Sequence, residues 1–252
     1  MVVTPQTLFT GQQLLWLPAC ASTNSEAQAL IVQNRASDGC TIITDFQTAG
    51  RGQRGNHWQG APAENLMLSV VWQPTFLAAT EQFRLSQAVA LGVHDWAATL
   101  LSTDAKLKLK WPNDLYYGDQ KLGGILIENT LSGPKIQYSI IGIGMNINQL
   151  TFPMATATSF SAITGRAYVR ETLAARLLEC LERRYLQLRA GQVGTLRRDY
   201  LQALYRYQES HNFIVDGQTV SGQIVGVEND GRLAVAIGNE LRRFGLQEIR
   251  HA

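Results

Sequence analysis

The chain has 252 residues, 45% of them hydrophobic and 17% charged, and a formal net charge of +2. That length and apolar fraction support one large domain, or one large and one small, with a substantial core. The near balance of charge excludes a global basic field of the kind that gathers nucleic acid or anionic membrane, so any cationic site must be local.

Three cysteines (Cys20, Cys40, Cys180) and four histidines (His57, His94, His211, His251) are scattered, with no CxxC pair and no Cys/His cluster. They read as buried thiols in a reducing compartment, not as zinc ligands. No basic segment followed by an apolar stretch opens the chain, and no apolar run approaches the roughly 20 residues of a membrane span. A cytoplasmic protein is expected.

Residues 14–18 (LLWLP) predict a short strand. In Ser22-Thr23-Asn24-Ser25-Glu26, Thr23 and Glu26 have capping-box spacing, and Ala27, Leu30 and Ile31 follow at helical intervals. Alone, these polar residues read as a helix cap, although a helix N-terminus can also hold a polar ligand. A β-rich run at residues 40–46 leads through Gln47 into Gly50-Arg51-Gly52-Gln53-Arg54-Gly55-Asn56-His57-Trp58. Residues 66–72 predict a strand. Residues 81–101 predict an amphipathic helix with Leu85, Val89, Val93, Trp96 and Leu100 on one face, where His94 and Trp96 serve packing.

Lys and apolar residues alternate strictly over 106–111, as in a strand with one cationic face. Pro112-Asn113-Asp114 ends it. Residues 115–117 and 121–128 predict a hairpin, 129–134 a turn, and 137–147 a strand bearing Gly142 and Gly144. Strands adjacent in sequence argue for an antiparallel or mixed sheet. Residues 149–164 read as loop, 169–189 and 195–207 as helices, the first with Leu173, Leu177, Leu181, Tyr185 and Leu188 on one face. From 213 to 249 only short β segments and glycine turns remain, a small barrel-like unit near the lower size limit for independent folding. Residues 1–210 and 211–252 are the expected domains.

Gly50, Gly52 and Gly55 match G-x-G-x-x-G, but Asn56 to Pro62 cannot open a helix and no βαβ unit follows, so a dinucleotide turn is refused. What remains is a glycine loop with two guanidinium groups, suited to carboxylate or phosphate. A surface turn with solvated arginines explains that loop equally well by itself. Further along, Asn113 and Asp114 offer hard oxygens to a cation or ribose, Lys121 lies beside Gly123 and Gly124, and Asn146 ends a glycine-bearing strand.

The ordered set STN, GRGQRGNHW, KWPND, KLGGILIE and GIGMN resembles the biotin protein ligases over nearly the whole chain. The resemblance implies an α+β fold, with a mixed sheet and flanking helices like the class II aminoacyl-tRNA synthetase core and a small C-terminal SH3-like β-barrel. It implies ATP-dependent attachment of biotin, through biotinyl-5′-AMP, to a lysine of the biotin carboxyl carrier domain of acetyl-CoA carboxylase or another carboxylase. Biotin, ATP and Mg2+ are the implied ligands, the last without a fixed protein site and placed near Asn113 and Asp114.

By motif, Ser22, Thr23, Asn24 and Gln47 should face the biotin ureido group. Gly50, Arg51, Gly52 and Gln53 should close over biotin, with Gly124 and Leu126 lining its pocket. Lys121 should contact the biotin carboxylate and the acyl-phosphate oxygens. Arg51, Arg54, Trp58, Asn113, Asp114, Lys121 and Asn146 should serve ATP. Lys121, Arg51 and Asp114 are the catalytic candidates, Asp114 as the group that orients or deprotonates the incoming lysine.

Two departures stand out. Gln53 replaces an arginine carried by many members, which bears on how tightly the adenylate is held. About a dozen residues precede the first strand, too few for the DNA-binding domain of some members, so DNA binding is not expected. A monomer and a homodimer both remain open. A lipoate ligase or lipoyl transferase on the same core is the nearest alternative. A non-catalytic nucleotide- or nucleic-acid-binding module is the alternative of another class, disfavoured by the small net charge.

Overall fold

A computed structural model describes residues 4–101 and 105–252, with the Arg54 side chain also outside the described set. The first part runs β1 (Leu14–Leu17), α1 (Thr23–Val32), β2 (Thr41–Thr44), β3 (Leu66–Trp72), α2 (Gln82–Leu100), β4 (Leu107–Lys110), β5 (Asp114–Tyr117), β6 (Gln120–Ser132), β7 (Lys135–Met145), α3 (Phe160–Thr164), α4 (Arg170–Arg189) and α5 (Val193–Ala203). Its seven strands form one sheet in the order β1-β2-β3-β7-β6-β5-β4. Only β1 and β2 pair in parallel; the other neighbours are antiparallel. This is the mixed sheet expected from adjacent strands.

Both faces of the sheet are covered at its centre. Every residue of β3 is buried, which is why its sequence is a nearly continuous apolar run instead of an alternation. Leu66, Leu68, Val70 and Trp72 join the main core with Leu85, Val89, Val93 and Trp96 of α2 and the apolar face of α4. Val71 belongs to a second cluster with Ile42, Ile140, Cys40 and Ala27 of α1. The short α1 covers only part of this second face. Beyond its N-terminus, Ser69 of β3 pairs with Gly142 of β7, Gly142 with Leu126 of β6, and Gly144 with Gly124. A glycine-surfaced floor is therefore left beside the start of a helix.

Several local expectations give way to tertiary contacts. No capping box forms at α1. Ser22 is the N-cap, in extended conformation and without a side-chain cap bond. The Thr23 N–H donates to Gln47 Oε1 at 2.8 Å instead. β6 continues through residues 129–132 of the turn predicted at 129–134, because Asn129 pairs with Ser139 and accepts its hydroxyl at 2.7 Å, and the turn is confined to Gly133 and Pro134. A five-residue helix, α3, interrupts the loop at 149–164, with Ser159 accepting the Ala162 N–H at 3.1 Å. α5 ends at Ala203, and Leu204 then runs along the sheet edge, where the Tyr205 N–H donates to the Leu109 carbonyl at 2.8 Å. Cys40 and Cys180 are buried as expected, but Cys20 is partly exposed.

The C-terminal segment is β8 (Ser210–Val215), β9 (Gln218–Val227), β10 (Leu233–Ile237), β11 (Glu240–Phe244) and β12 (Ile249–His251). These strands form a five-stranded antiparallel sheet in the order β11-β10-β9-β8-β12. Among the described residues β11 and β12 do not pair, so the expected barrel is an open sheet. β12 has three residues, all used against β8. The sheet packs on the first part through Phe213, Val215, Leu233 and Phe244, which share the main core, and Trp111 Nε1 donates to the Gly231 carbonyl at 2.9 Å.

Candidate active site

A cleft of about 290 Å³ opens over the glycine floor. The start of α1, the 50–58 loop, the 112–114 turn, β6 and β7 line it. Ser22, Thr23, Asn24, Gln47, Arg51, Gly52, Gln53, Trp58, Asn113, Asp114, Lys121, Gly124 and Leu126 all reach it. Thirteen of the sixteen side chains and backbones expected at the site thus converge from five segments of sequence.

Of the other three, two do not line the cleft. Gly50 supports it from behind: its carbonyl accepts the Trp58 N–H at 3.0 Å, and any side chain there would run into the Trp58 carbonyl oxygen. Asn146 is buried, and its Nδ2 donates to the Thr158 carbonyl at 3.0 Å. Its partners fix the 156–160 segment that in turn holds the Lys121 backbone, through Lys121 N–H to Thr156 O at 2.7 Å and Thr158 N–H to Lys121 O at 3.0 Å. The expectation for the Arg54 side chain lies outside the described residues.

The polar end of the cleft is one connected network. Gln47 Oε1 accepts the Thr23 N–H at 2.8 Å. Ser69 Oγ lies 2.7 Å from Thr23 Oγ1 and 2.6 Å from Asn24 Oδ1. An amide oxygen can only accept, so the single Ser69 proton points to Asn24, and Thr23 then supplies its own proton to Ser69. Asn24 Nδ2 donates to Glu128 Oε2 at 2.6 Å. Ser22, Thr23, Asn24 and Ser69 are all buried, so satisfied partners are needed and their orientation is set before any ligand arrives. Gly142 makes room for this network, since a side chain there would collide with Asn24 Oδ1.

Charged groups ring the other end. Arg51 makes a two-pronged ion pair with Glu128, at 3.0 and 2.8 Å. Lys121 Nζ lies 2.6 Å from Asp114 Oδ1. The missing side chain of Gly124 lets these two meet: a Cβ there would stand 3.1 Å from Asp114 Oδ1 and 3.4 Å from Lys121 Nζ. Asn113 stitches the 112–114 turn to β6, with Nδ2 to Ile125 O at 2.6 Å and Ile125 N–H to Asn113 O at 2.9 Å. Behind Asp114, burial lowers the Lys110 ammonium from its usual range, opposed by Asp114. Burial, aided by the Asp114 charge, pushes the Tyr116 hydroxyl up to about 12.

Both cation–carboxylate pairs are partly exposed, with side-chain exposures of 43% and 38% for Arg51 and Glu128 and 34% and 22% for Lys121 and Asp114. Such pairs contribute about 0–1 kcal/mol, so an incoming anion can exchange into either. Trp58 lies across the floor, where a Cβ on Gly144 would come 2.5 Å from its Cε2, and its Nε1–H is buried without an acceptor.

Sequence reasoning gave no site role to Asn56, His57, Pro112, Ile125 and Ile143, which line the cleft, nor to Ser69 and Glu128, which hold its lining residues from behind. Ser69 is a lone hydroxyl in an apolar strand, and that mismatch is its signal. Glu128 closes the KLGGILIE run but carried no expected role, because only the fold brings it to Asn24 and Arg51.

The family described as "Biotin/lipoate A/B protein ligase family" matches residues 16–146. The chain belongs to it. Among curated relatives, the biotin–[acetyl-CoA-carboxylase] ligase of Mycobacterium tuberculosis is 31% identical over 95% of this chain and 89% of its own. The bifunctional ligase/repressor BirA of Bacillus subtilis is 34% identical over 69% of this chain and 54% of its own, so the chain spans about half the length of that relative. Among solved structures, the Aquifex aeolicus biotin protein ligase in complex with biotin and ATP superposes with a TM-score of 0.79 at 23% identity, covering 96% of this chain and all (100%) of the other. The Leishmania major enzyme in complex with biotinyl-5-AMP gives 0.64 at 22% identity, covering 93% and 99%. These last two establish the fold, the α+β arrangement expected from sequence.

Proposed function

We propose that this chain joins biotin to a lysine of a biotin carboxyl carrier domain at the expense of ATP. The observation that carries this reading is the cleft itself, with an ordered amide-and-hydroxyl network at one end and exchangeable cationic groups at the other. A cyclic urea is neutral and both donates and accepts hydrogen bonds, which suits Thr23, Asn24, Gln47 and Ser69. The named biotin ligases among its relatives and fold neighbours support biotin over lipoate, whose dithiolane ring has no use for such a network.

The chemistry is a two-step acyl transfer. A biotin carboxylate oxygen bonds to the α-phosphorus of ATP, and the bond to the β-phosphate oxygen breaks, releasing pyrophosphate with the electron pair. A neutral lysine amine of the carrier then bonds to the acyl carbon, losing its proton, and the acyl–phosphate bond breaks to free AMP. Step one brings two anions together. Lys121 and Arg51 offset their repulsion once the ligand displaces Asp114 and Glu128 from them. Step two needs an oriented amine, the role proposed for Asp114 after Lys121 has turned to the acyl phosphate. The 50–58 loop covers the intermediate against water.

Magnesium belongs to the nucleotide in this scheme. Among the described residues no group of three or more His, Cys, Asp or Glu side chains could hold a metal, and Asn113 is committed to Ile125. Magnesium held mainly by substrate phosphates needs no protein cage. The test is pyrophosphate release from MgATP with biotin or with lipoate. Release with biotin alone is expected; release with lipoate alone, or with neither, contradicts the reading.

A further inference from the structure

Glu128 ties the polar network of the cleft to its arginine. Its Oε2 accepts from Asn24 Nδ2 at 2.6 Å, and the same carboxylate takes the Arg51 guanidinium at 3.0 and 2.8 Å. It lies on β6 with Gly124 and Leu126, on the same face of the sheet, opposite Ile140 of β7. We propose that Glu128 is a positioning residue with two tasks: it fixes the Asn24 amide for the substrate, and it parks Arg51 until an anionic ligand claims the guanidinium. This inference rests on the reading of the cleft as a biotin and ATP site.

The first task follows from hydrogen-bond counting. Asn24 Oδ1 is fixed by Ser69, and Asn24 Nδ2 has Glu128 as its acceptor. Asn24 is only 3% exposed, so water cannot easily replace a lost partner. Removing the carboxylate frees the amide to rotate, and a urea group then meets the wrong atom. The second task follows from charge. Without an anion bound, a free guanidinium on a glycine loop would wander or attract stray anions. A bidentate carboxylate holds it in one place, and the half-exposed setting keeps the hold weak enough to release. Lys121 and Asp114 repeat the arrangement at the other cation, so loading the cleft exchanges both pairs.

The test uses the intact protein and the variants Glu128→Ala and Glu128→Gln. Trypsin must take an arginine side chain into its own pocket, so cleavage after Arg51 reports how often the guanidinium is free. Without ligand, both variants should be cut at Arg51 at least about threefold faster than wild type, as loss of a weak ion pair would give. In Glu128→Ala the KM for biotin should rise about tenfold, with a smaller change in kcat, from the unsatisfied Asn24 donor. Glu128→Gln should recover most of that KM, since its amide oxygen can still accept from Asn24, yet stay sensitive to trypsin. Equal cleavage of all three ligand-free proteins overturns the proposal, and so does an unchanged KM in Glu128→Ala. A wild type that does not turn over biotin sinks the ligase reading alone, because the cleavage comparison needs no substrate.

Discussion

Gly144 is bare because the Trp58 ring occupies the space a side chain would fill. In Gly144→Ala the new methyl would stand 2.5 Å from Trp58 Cε2, inside any normal contact. The ring has to shift, and the 50–58 loop moves with it. We expect the KM for biotin to rise about tenfold while the melting temperature changes by only a few degrees, since the clash is on the cleft floor with Trp58 and not in the main core. Steady-state kinetics with a parallel thermal melt checks this. At this scale the sequence was legible where residue type contradicts its setting: glycines in a strand, arginines in a glycine loop, three small polar residues before a helix. It was silent where a residue suits its setting and only the fold reveals its partner. Glu128 on a strand end looks like ordinary surface charge until Asn24 and Arg51 arrive from more than 70 residues away.

Among the elements, α4 anchors the N-terminal segment through two carboxylates, Glu179, which accepts the Gln6 N–H at 2.9 Å, and above all Glu182. Glu182 is buried and its carboxylate accepts the backbone N–H groups of Leu8, Phe9 and Thr10 at 2.6, 3.0 and 2.8 Å. Thr10 in turn accepts the Trp72 indole N–H at 3.1 Å. Glu182→Ala leaves these donors without an acceptor and should cost about 2–4 kcal/mol, read from the shift of a urea unfolding midpoint. A cost below about 0.5 kcal/mol would mean that water replaces the carboxylate freely. Periodicity located α2 and α4 because each buries a wide face. It misplaced the end of α5 and missed α3, since their limits depend on the sheet edge at Leu109 and on a five-residue turn too short for a period. The turn predicted at 129–134 shrank to Gly133 and Pro134 for a related reason, as pairing with β7 outweighed the turn preference of Asn129.

For the whole molecule, His251 sits at the seam between the C-terminal sheet and the first part. Its ring packs on those of Tyr205 and Phe213 at 5.3 and 5.2 Å between centroids, and its Nδ1 is buried without a hydrogen-bond partner. Burial, with Lys110, His211 and Arg206 nearby, lowers its pKa from 6.5 to about 4. The unfolded chain therefore binds this proton first as pH falls, so stability drops between about pH 6.5 and 4. His94 and His211 are lowered as well and act in the same direction. Thermal melts from pH 7.5 to 4.5 should show the decline, and His251→Gln should flatten but not abolish it. The open C-terminal sheet was legible as short β segments, but its failure to close was not, because that depends on where three-residue β12 pairs. What unites the scales is the cleft, where β6, β7, α1 and the glycine loop present a buried polar network beside two exchangeable cations. The most direct test incubates the protein with MgATP, biotin and an apo-carrier domain, and weighs the carrier by intact-mass spectrometry. One added biotinyl group on the carrier lysine is predicted, lost in Lys121→Ala although that variant stays folded. An unmodified carrier with the wild-type protein, or full modification by Lys121→Ala, would contradict the account.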